Sequence, residues 1–329
     1  MRNLLFLFLA VTLTTTLGAS GPCDIFDAGG TPCVAAHSVV RALYGAYAGP
    51  LYTVRRSLDN STAEIGVVSK GGVADASAQD KFCADTFCSI ERIFDQSPRG
   101  NHLDVAPGGG AAPAPDHGVN ATRAPTTLSG NPVYSAYFEG GEGYRIENTS
   151  GVATGDAPET MYMVTAGKHY NNKCCFDYGN AETDARDHGA GTMEAVYWGN
   201  CGGWGKGSGD GPWVMADLEN GLWAGNKTKT DEPPIVADFV TAMVKGASGG
   251  FALKAGDANS GPLKTLYDGP RPSGYNPMKK QGAIILGIGG DNSNWAVGTF
   301  YEGVMTSGYS TDAVDDAVQA NIVAAGYGR

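Results

Sequence analysis

Basic side chains are scarce in this chain: 23 Lys and Arg stand against 34 Asp and Glu, a formal net charge of −11. They form no cluster that could follow a phosphate backbone, so no nucleic-acid partner is expected. Beyond the N-terminal segment no stretch approaches the ~20 consecutive apolar residues needed to span a bilayer, so no membrane partner is expected either. The five histidines show no ligand spacing, and no metal site is expected. Helical periodicity is equally thin. Thr31-Pro32 can cap and start a helix from Cys33 to about Tyr44, Ala74 to Phe82 suits a second, and Ser310-Thr311-Asp312 caps a third from Ala313 to Ala325. In that last segment Val314, Val318, Ile322 and Ala325 share one face.

Glycine, by contrast, is abundant at 49 of 329 residues, about twice its usual ~7% share, which favours many turns. Met1-Arg2-Asn3 leads into the apolar run Leu4 to Leu13 and the small-residue site Leu17-Gly18-Ala19-Ser20, the pattern of a secretory signal peptide over residues 1–20. A secreted, extracellular product follows. Four glycosylation sequons at Asn60, Asn120, Asn148 and Asn226 agree with that route. Seven cysteines in an exported chain read first as disulfides. Cys23 with Cys33 and Cys83 with Cys88 are the economical local pairs, leaving Cys174, Cys175 and Cys201. Adjacent cysteines either take separate partners or join each other, and spacing does not choose.

Between the helical ends the chain reads as short β-runs separated by Gly, Asn, Asp and Pro: Met161–Ala166, Thr192–Trp198, Trp213–Leu218, Ala237–Lys245, Phe251–Lys254, Leu263–Tyr267, Ala283–Gly287 and Thr299–Ser307. That spacing predicts an all-β sandwich with a few short helices. Ala106 to Pro125, rich in Gly, Ala and Pro, reads as a long surface loop. Residues 21–329 form one expected domain, without internal repeats.

Three short motifs fail on context. Gly246-Ala247-Ser248-Gly249-Gly250 matches the serine-hydrolase elbow, but a strand-like run follows it and no His occurs beyond His188, so a hairpin turn is expected. Gly287-Ile288-Gly289-Gly290-Asp291 lacks the third glycine and the helix of a dinucleotide site and reads as a turn. Asp291, Ser293 and Glu302 fit calcium-loop positions, yet Trp295 and Ala296 occupy places that need a ligand and a glycine, which excludes an EF-hand. What remains is carboxylates amid aromatics. Asp217 and Glu219, two apart on a strand, would project side by side, with Val214, Ala216 and Leu218 on the packed face. Like charges held that close need a reason such as a bound polyol or catalysis. Asp291 stands at the mouth of another strand, and Trp198, Trp204, Trp213, Trp223 and Trp295 fall near these segments. An indole face stacks on a sugar, and two carboxyl groups across a bond suffice for glycoside hydrolysis.

At these residues the chain resembles the catalytic domain of the secreted fungal α-L-arabinofuranosidases of glycoside hydrolase family 54. The likeness runs from Gly21-Pro22-Cys23 and Gly29-Gly30-Thr31-Pro32-Cys33 through Asp95-Gln96-Ser97, Cys174 to Thr183 and Met215 to Leu222, then on to Gly282–Asn294 and Gly298–Tyr309. It implies a β-sandwich of jelly-roll or concanavalin-like type, with Glu219 as nucleophile and Asp291 as general acid/base. It further implies a vicinal disulfide between Cys174 and Cys175 lining the sugar subsite, with Trp204, Asp217, Asn220 and Gly290 holding an arabinofuranose ring. The expected activity is a retaining exo-α-L-arabinofuranosidase acting on the side chains of arabinan and arabinoxylan, a monomer without cofactor. Alternatives are action on another furanoside such as β-D-galactofuranoside, or a lectin-like sandwich without catalysis; retention of both carboxyl groups argues against the latter. Two departures stand out. Family members usually continue into a β-trefoil arabinose-binding module whereas this chain stops at Arg329, so weak polymer attachment is expected, and Cys201 is left without a partner three residues before Trp204. Hydrogen bonds from Asn220 and backbone amides are expected to keep Glu219 ionised, and burial to raise the affinity of Asp291 for its proton.

Overall fold

A computed structural model of the protein describes residues 20–329. The signal-peptide segment, residues 1–20, falls outside the described residues except for Ser20. Glycine and Asn-rich turns cut the chain into short antiparallel strands, and these gather into two sheets of eight and ten strands packed face to face. In the eight-stranded sheet the order is Ser260–Pro270, Gly250–Asp257, Phe239–Ala247, Glu159–Ala166, Gly298–Ser307, Asn131–Phe138 and Ala124–Leu128, with Cys33–Ser38 also paired to Gly298–Ser307. The ten-stranded sheet runs Leu222–Trp223, Trp213–Asp217, Glu194–Gly199, Asp177–Ala181, Ala283–Leu286, Tyr144–Ile146, Leu103–Val105, Cys88–Ile93, Pro50–Arg56 and Thr62–Gly66. This is the expected β-sandwich.

Alternation along the strands of the larger sheet decides what faces the core. Val214, Ala216 and Leu218 join Val196, Trp198 and Tyr178 in the main apolar cluster, where a buried Val or Leu is worth roughly 1.5–3 kcal/mol. The other face of the same strands carries Met215, Tyr197 and Asp217. Covering segments leave even those positions buried, and Asp217 among them lines the site described below.

All eight β-runs read from the sequence are strands, with ends shifted by a few residues. The final helix is Asp312–Ala325, capped by the Thr311 hydroxyl and closed by left-handed Gly326; Val318, Ile322 and Ala325 are buried on it. The segment Ala76–Phe82 is helical as expected. Ser248-Gly249 is a tight hairpin turn, with Ala247 paired to Gly250 and Gly249 at φ 81°, not a nucleophile elbow.

Two expectations fail. No helix runs from Cys33 to Tyr44: that segment opens as the strand Cys33–Ser38, and the helix lies before it at Pro22–Ala28. Every residue of the strand is buried against its partner strand, so tertiary burial overrides the Thr-Pro start signal. Strands before residue 159 also passed unread: some are short and polar, as in Thr62–Gly66 and Ala124–Leu128, but Pro50–Arg56 and Asn131–Phe138 are neither. The segment Ala106 to Pro125 is no mere surface loop. Ala106, Asp116, Val119 and Ala121 are buried, Gly110 N–H donates to Ala185 O, and Ala111 N–H donates to Asp291 O at 3.0 Å. Through Ala111 this segment also lines the cavity described below.

Candidate active site

The strand Trp213–Asp217 ends two residues earlier than Glu219, so strand alternation does not bring the two carboxylates together. A turn does. Leu222 pairs with Asp217, and the intervening Glu219 and Asn220 both adopt left-handed backbone conformations, φ 62° and 58°, as both central residues of a type I′ hairpin must. Asn accepts that region readily; Glu does so at a cost. Its supports are visible. The Tyr275 hydroxyl lies 2.9 Å from Glu219 O and 3.0 Å from Asn220 O, and Gly191 N–H donates to Leu218 O at 2.7 Å. Glu219 N–H in turn donates to Asp217 Oδ1 at 3.1 Å, which ties the two acidic residues into one unit.

A second turn, after the strand Ala283–Leu286, carries Asp291. Gly289 N–H donates to Ser293 O, Ser293 N–H donates to Asp291 Oδ1 at 3.0 Å, and Cys175 N–H donates to Ser293 O. Trp295 N–H donates to Cys174 O. The turn is therefore fastened to the Cys174–Cys175 segment. A Cβ on Gly290 would lie 2.1 Å from Glu182 Oε2 and 2.9 Å from Glu219 Oε2, so no larger residue fits there.

These turns enclose a cavity of about 180 Å³. Its lining includes every residue expected at the site: Glu219, Asp291, Cys174, Cys175, Trp204, Asp217, Asn220 and Gly290. Cys174 is joined to Cys175, Cys23 to Cys33 and Cys83 to Cys88, while Cys201 is free and buried. Trp204 and Trp295 stand half-exposed at the rim. Trp198, Trp213 and Trp223 are buried. Cys174, Cys175 and Asp217 bring ligand-type atoms within 4.8 Å of one another, but sulfurs bonded to each other offer no thiolate to an ion.

The site holds more acid than the sequence reading assigned. Asp187 lines the cavity and accepts a hydrogen bond from Asn220 Nδ2 at 3.0 Å. Asp177 and Glu182 lie behind its wall, both fully buried. Both fall within the block Cys174 to Thr183, but nothing in their spacing marks them, because Asp177 opens a strand and Glu182 directly follows its end. Burial, aided by the neighbouring Asp217, raises the proton affinity of Asp177 well above the ordinary carboxyl range. Neither of its oxygens has a donor among the described residues, so nothing there offsets the cost of ionising Asp177. Asp217 itself is pushed up to about 7, chiefly by burial.

Glu219 is pushed up to about 10, first by burial and then by the charges of Asp217, Glu182, Asp187 and Asp291. This overturns the expectation that Asn220 keeps Glu219 ionised. The Asn220 amide serves Asp187 instead, and the backbone amide at Glu219 serves Asp217.

A family model described as the catalytic region of α-L-arabinofuranosidase B matches residues 22–328. The chain belongs to that family, glycoside hydrolase family 54. It is 58% identical over 327 residues to a probable α-L-arabinofuranosidase B of Aspergillus terreus, covering 97% of this chain and 65% of that protein. An α-L-arabinofuranosidase of Hypocrea jecorina is 57% identical over 320 residues, covering 95% and 64%. The chain thus spans a little under two thirds of the length of these relatives. A solved arabinofuranosidase complexed with arabinofuranosyl-α-1,2-xylobiose superposes with a TM-score of 0.92 at 55% identity, covering 93% of this chain and 65% of that one. A family 54 α-L-arabinofuranosidase soaked with a cyclic sulfate inhibitor gives 0.91 at 55% identity, with 93% and 66% covered.

Proposed function

We propose that this protein is a secreted, retaining exo-α-L-arabinofuranosidase that removes terminal arabinofuranose side chains from arabinan and arabinoxylan. One observation carries the reading: Glu219 and Asp291 line a single small cavity, floored by the Cys174–Cys175 pair and rimmed by Trp204 and Trp295. Its volume of about 180 Å³ falls below the ~300–1,000 Å³ of clefts that take drug-sized ligands, which suits one terminal sugar and exo action. The family membership and the ligand named with the solved relative point to the same substrate class.

In this reading Glu219 attacks the anomeric carbon while Asp291 protonates the departing oxygen. Asp291 then takes a proton from water, and that water releases arabinose from the glycosyl-enzyme with net retention. Asp217, Asn220 and backbone at Gly290 hold ring hydroxyls, and the disulfide offers the sugar a flat apolar floor. Tryptophan at the rim presents a stacking face to the remainder of the chain. Asn60, Asn148 and Asn226 are exposed and Asn120 is half-buried, so the first three are the accessible glycosylation positions. Release of arabinose from an aryl arabinofuranoside, followed by proton NMR of the first-formed anomer, tests the proposal. Retained configuration is expected. An inverted product, or no release by folded protein, overturns it.

A further inference from the structure

Behind the cavity wall, Glu182 has one oxygen satisfied and one not. The Thr192 hydroxyl donates to Oε1, while Oε2 is buried without a partner among the described residues. That free oxygen lies on the Glu219 side: Glu182 Oε2 and Glu219 Oε2 stand 2.1 and 2.9 Å from one point, the place a Cβ on Gly290 would occupy, and so lie no more than 5.0 Å apart. Two ionised carboxylates are acceptors only and repel at such range, so one proton held by the pair removes the repulsion and gives the unpartnered oxygen a use. The nearby cation does not replace that proton. Arg145 spends Nη1 on Gly290 O at 2.7 Å and Nη2 on the backbone carbonyl of Glu182, which fixes Glu182 against the Asp291 turn without bonding its carboxyl group.

The charges around the pair are otherwise acidic. Glu219 faces Asp217, Asp187 and Asp291. Glu182 faces Glu219 and Arg145, and Arg145 also answers to Glu147, Asp184 and Asp291. Burial raises the proton affinity of Glu182 as well as Glu219, so a proton entering this region is retained by the pair and titrates as a property of both.

We propose that Glu182 is a positioning residue that holds one proton jointly with Glu219 and carries that proton while Glu219 attacks the anomeric carbon. The inference rests on Glu219 being the nucleophile. As the glycosyl bond forms, the proton passes from Glu219 Oε2 to Glu182 Oε2 and the freed electron pair bonds to carbon; the leaving oxygen takes its proton from Asp291. When water cleaves the glycosyl-enzyme, the released carboxylate of Glu219 again shares the proton held by Glu182. The arrangement answers a problem the acidic pocket creates, since a nucleophile with so high a proton affinity would otherwise be unavailable at neutral pH. Glu182 does not line the cavity, and so acts through Glu219.

The test is the pH dependence of kcat/KM on an aryl arabinofuranoside for Glu182→Ala and Glu182→Gln. A glutamine keeps an oxygen for Thr192 and places an amide donor toward Glu219, copying protonated Glu182. Expected is a roughly 10- to 100-fold fall in kcat for the alanine variant, with KM little changed and the acid limb moved up by about one pH unit. The glutamine variant should stay within a few-fold of wild type with its acid limb in place. An acid limb that moves down in both variants shows Glu182 to be a neighbouring charge only, and one that stays put in both shows a packing role; either overturns the proposal. Should neither variant fold, the carboxyl carbon resonances of wild type decide, common titration steps for Glu182 and Glu219 supporting it and independent ones overturning it. Glu219→Gln separates the two claims. If it keeps wild-type rate, the nucleophile assignment falls and this inference with it, whereas an inactive Glu219→Gln beside unshifted Glu182 variants removes only the inference.

Discussion

Buried carboxylates occur in two regions of this sandwich, and they are handled in opposite ways. Where the sheets meet, Glu159 and Glu194 each lie 2.9 Å from Lys280 Nζ, Arg271 lies 3.2 Å from Glu194, and all four side chains are fully buried. Asn180 adds hydrogen bonds to Glu159. The last helix is attached in the same manner, with Asp315 2.6 Å from both Lys245 and Lys254. At the cavity, Asp177, Glu182, Asp217 and Glu219 are buried with no cation bonded to their carboxyl groups among the described residues, and all four have raised proton affinity. Paired charge joins elements, while unpaired charge of one sign is destabilising and persists only where something else gains from it. A polyol and a developing cationic centre are what such a pocket would stabilise.

The largest effect expected from breaking this contrast is on turnover. Glu219→Gln should lower kcat by about 10⁴-fold or more, ~5 kcal/mol in barrier, with the fold intact by circular dichroism; a variant within tenfold of wild type would remove Glu219 from the chemistry. Lys280→Met at the paired region should do the reverse. It leaves Glu159 and Glu194 buried with less compensation, at a cost of roughly 3–5 kcal/mol in stability, while kcat per folded molecule stays near wild type. Denaturant midpoints and active-site titration separate the two outcomes.

Much of this contrast was legible in the sequence, though unevenly. Asp217 and Glu219 stood out by their spacing of two, read as one face of a strand although a turn presents Glu219, and Asp291 by its place at the mouth of another strand; the residues of the family blocks converge on one cavity. Asp177 and Glu182 did not, because a buried acid beside a strand looks the same whether a lysine or another acid faces it. Which of those it meets depends on pairing across sheets: Asn180 and Glu194 reach toward Glu159 and Lys280, whereas Asp177 and Asp217 share the other face. The strand Cys33–Ser38 and the wall segment after Ala106 were misread for a related reason, since both are set by what packs on them rather than by local pattern.

The pH dependence of stability offers a smaller effect with a definite sign. Carboxyl groups with raised pKa bind protons more tightly folded than unfolded, so their contribution is largest below the unfolded value of about 4 and is lost as pH rises through the folded one. For Asp217 and Glu219 the folded values are about 7 and about 10. Thermal stability should therefore decline from mildly acid to mildly alkaline pH. Glu219→Gln, carrying no charge to desolvate, should recover roughly 2–4 kcal/mol at pH 8 and little at pH 4. Equal stabilisation at both values would show that the gain comes from packing rather than from charge.

The smallest effect expected concerns the turn that presents Glu219. Its left-handed backbone is held by one hydroxyl, that of Tyr275, beside the Glu219 and Asn220 carbonyls, and the ring itself packs edge-on against Trp223. Tyr275→Phe retains the ring and its packing and removes only the donor, a loss of about 1 kcal/mol for a hydrogen bond of this kind. Because the carbonyls belong to the turn and not to the core, the loss should appear as a roughly three- to tenfold lower kcat with a midpoint of unfolding little changed. Binding of arabinose should weaken by less, since Asp217 and the Cys174–Cys175 floor stand on other supports. If the midpoint falls while kcat per folded molecule is untouched, the turn is held by its own hairpin, and the strain at Glu219 needs no prop from Tyr275.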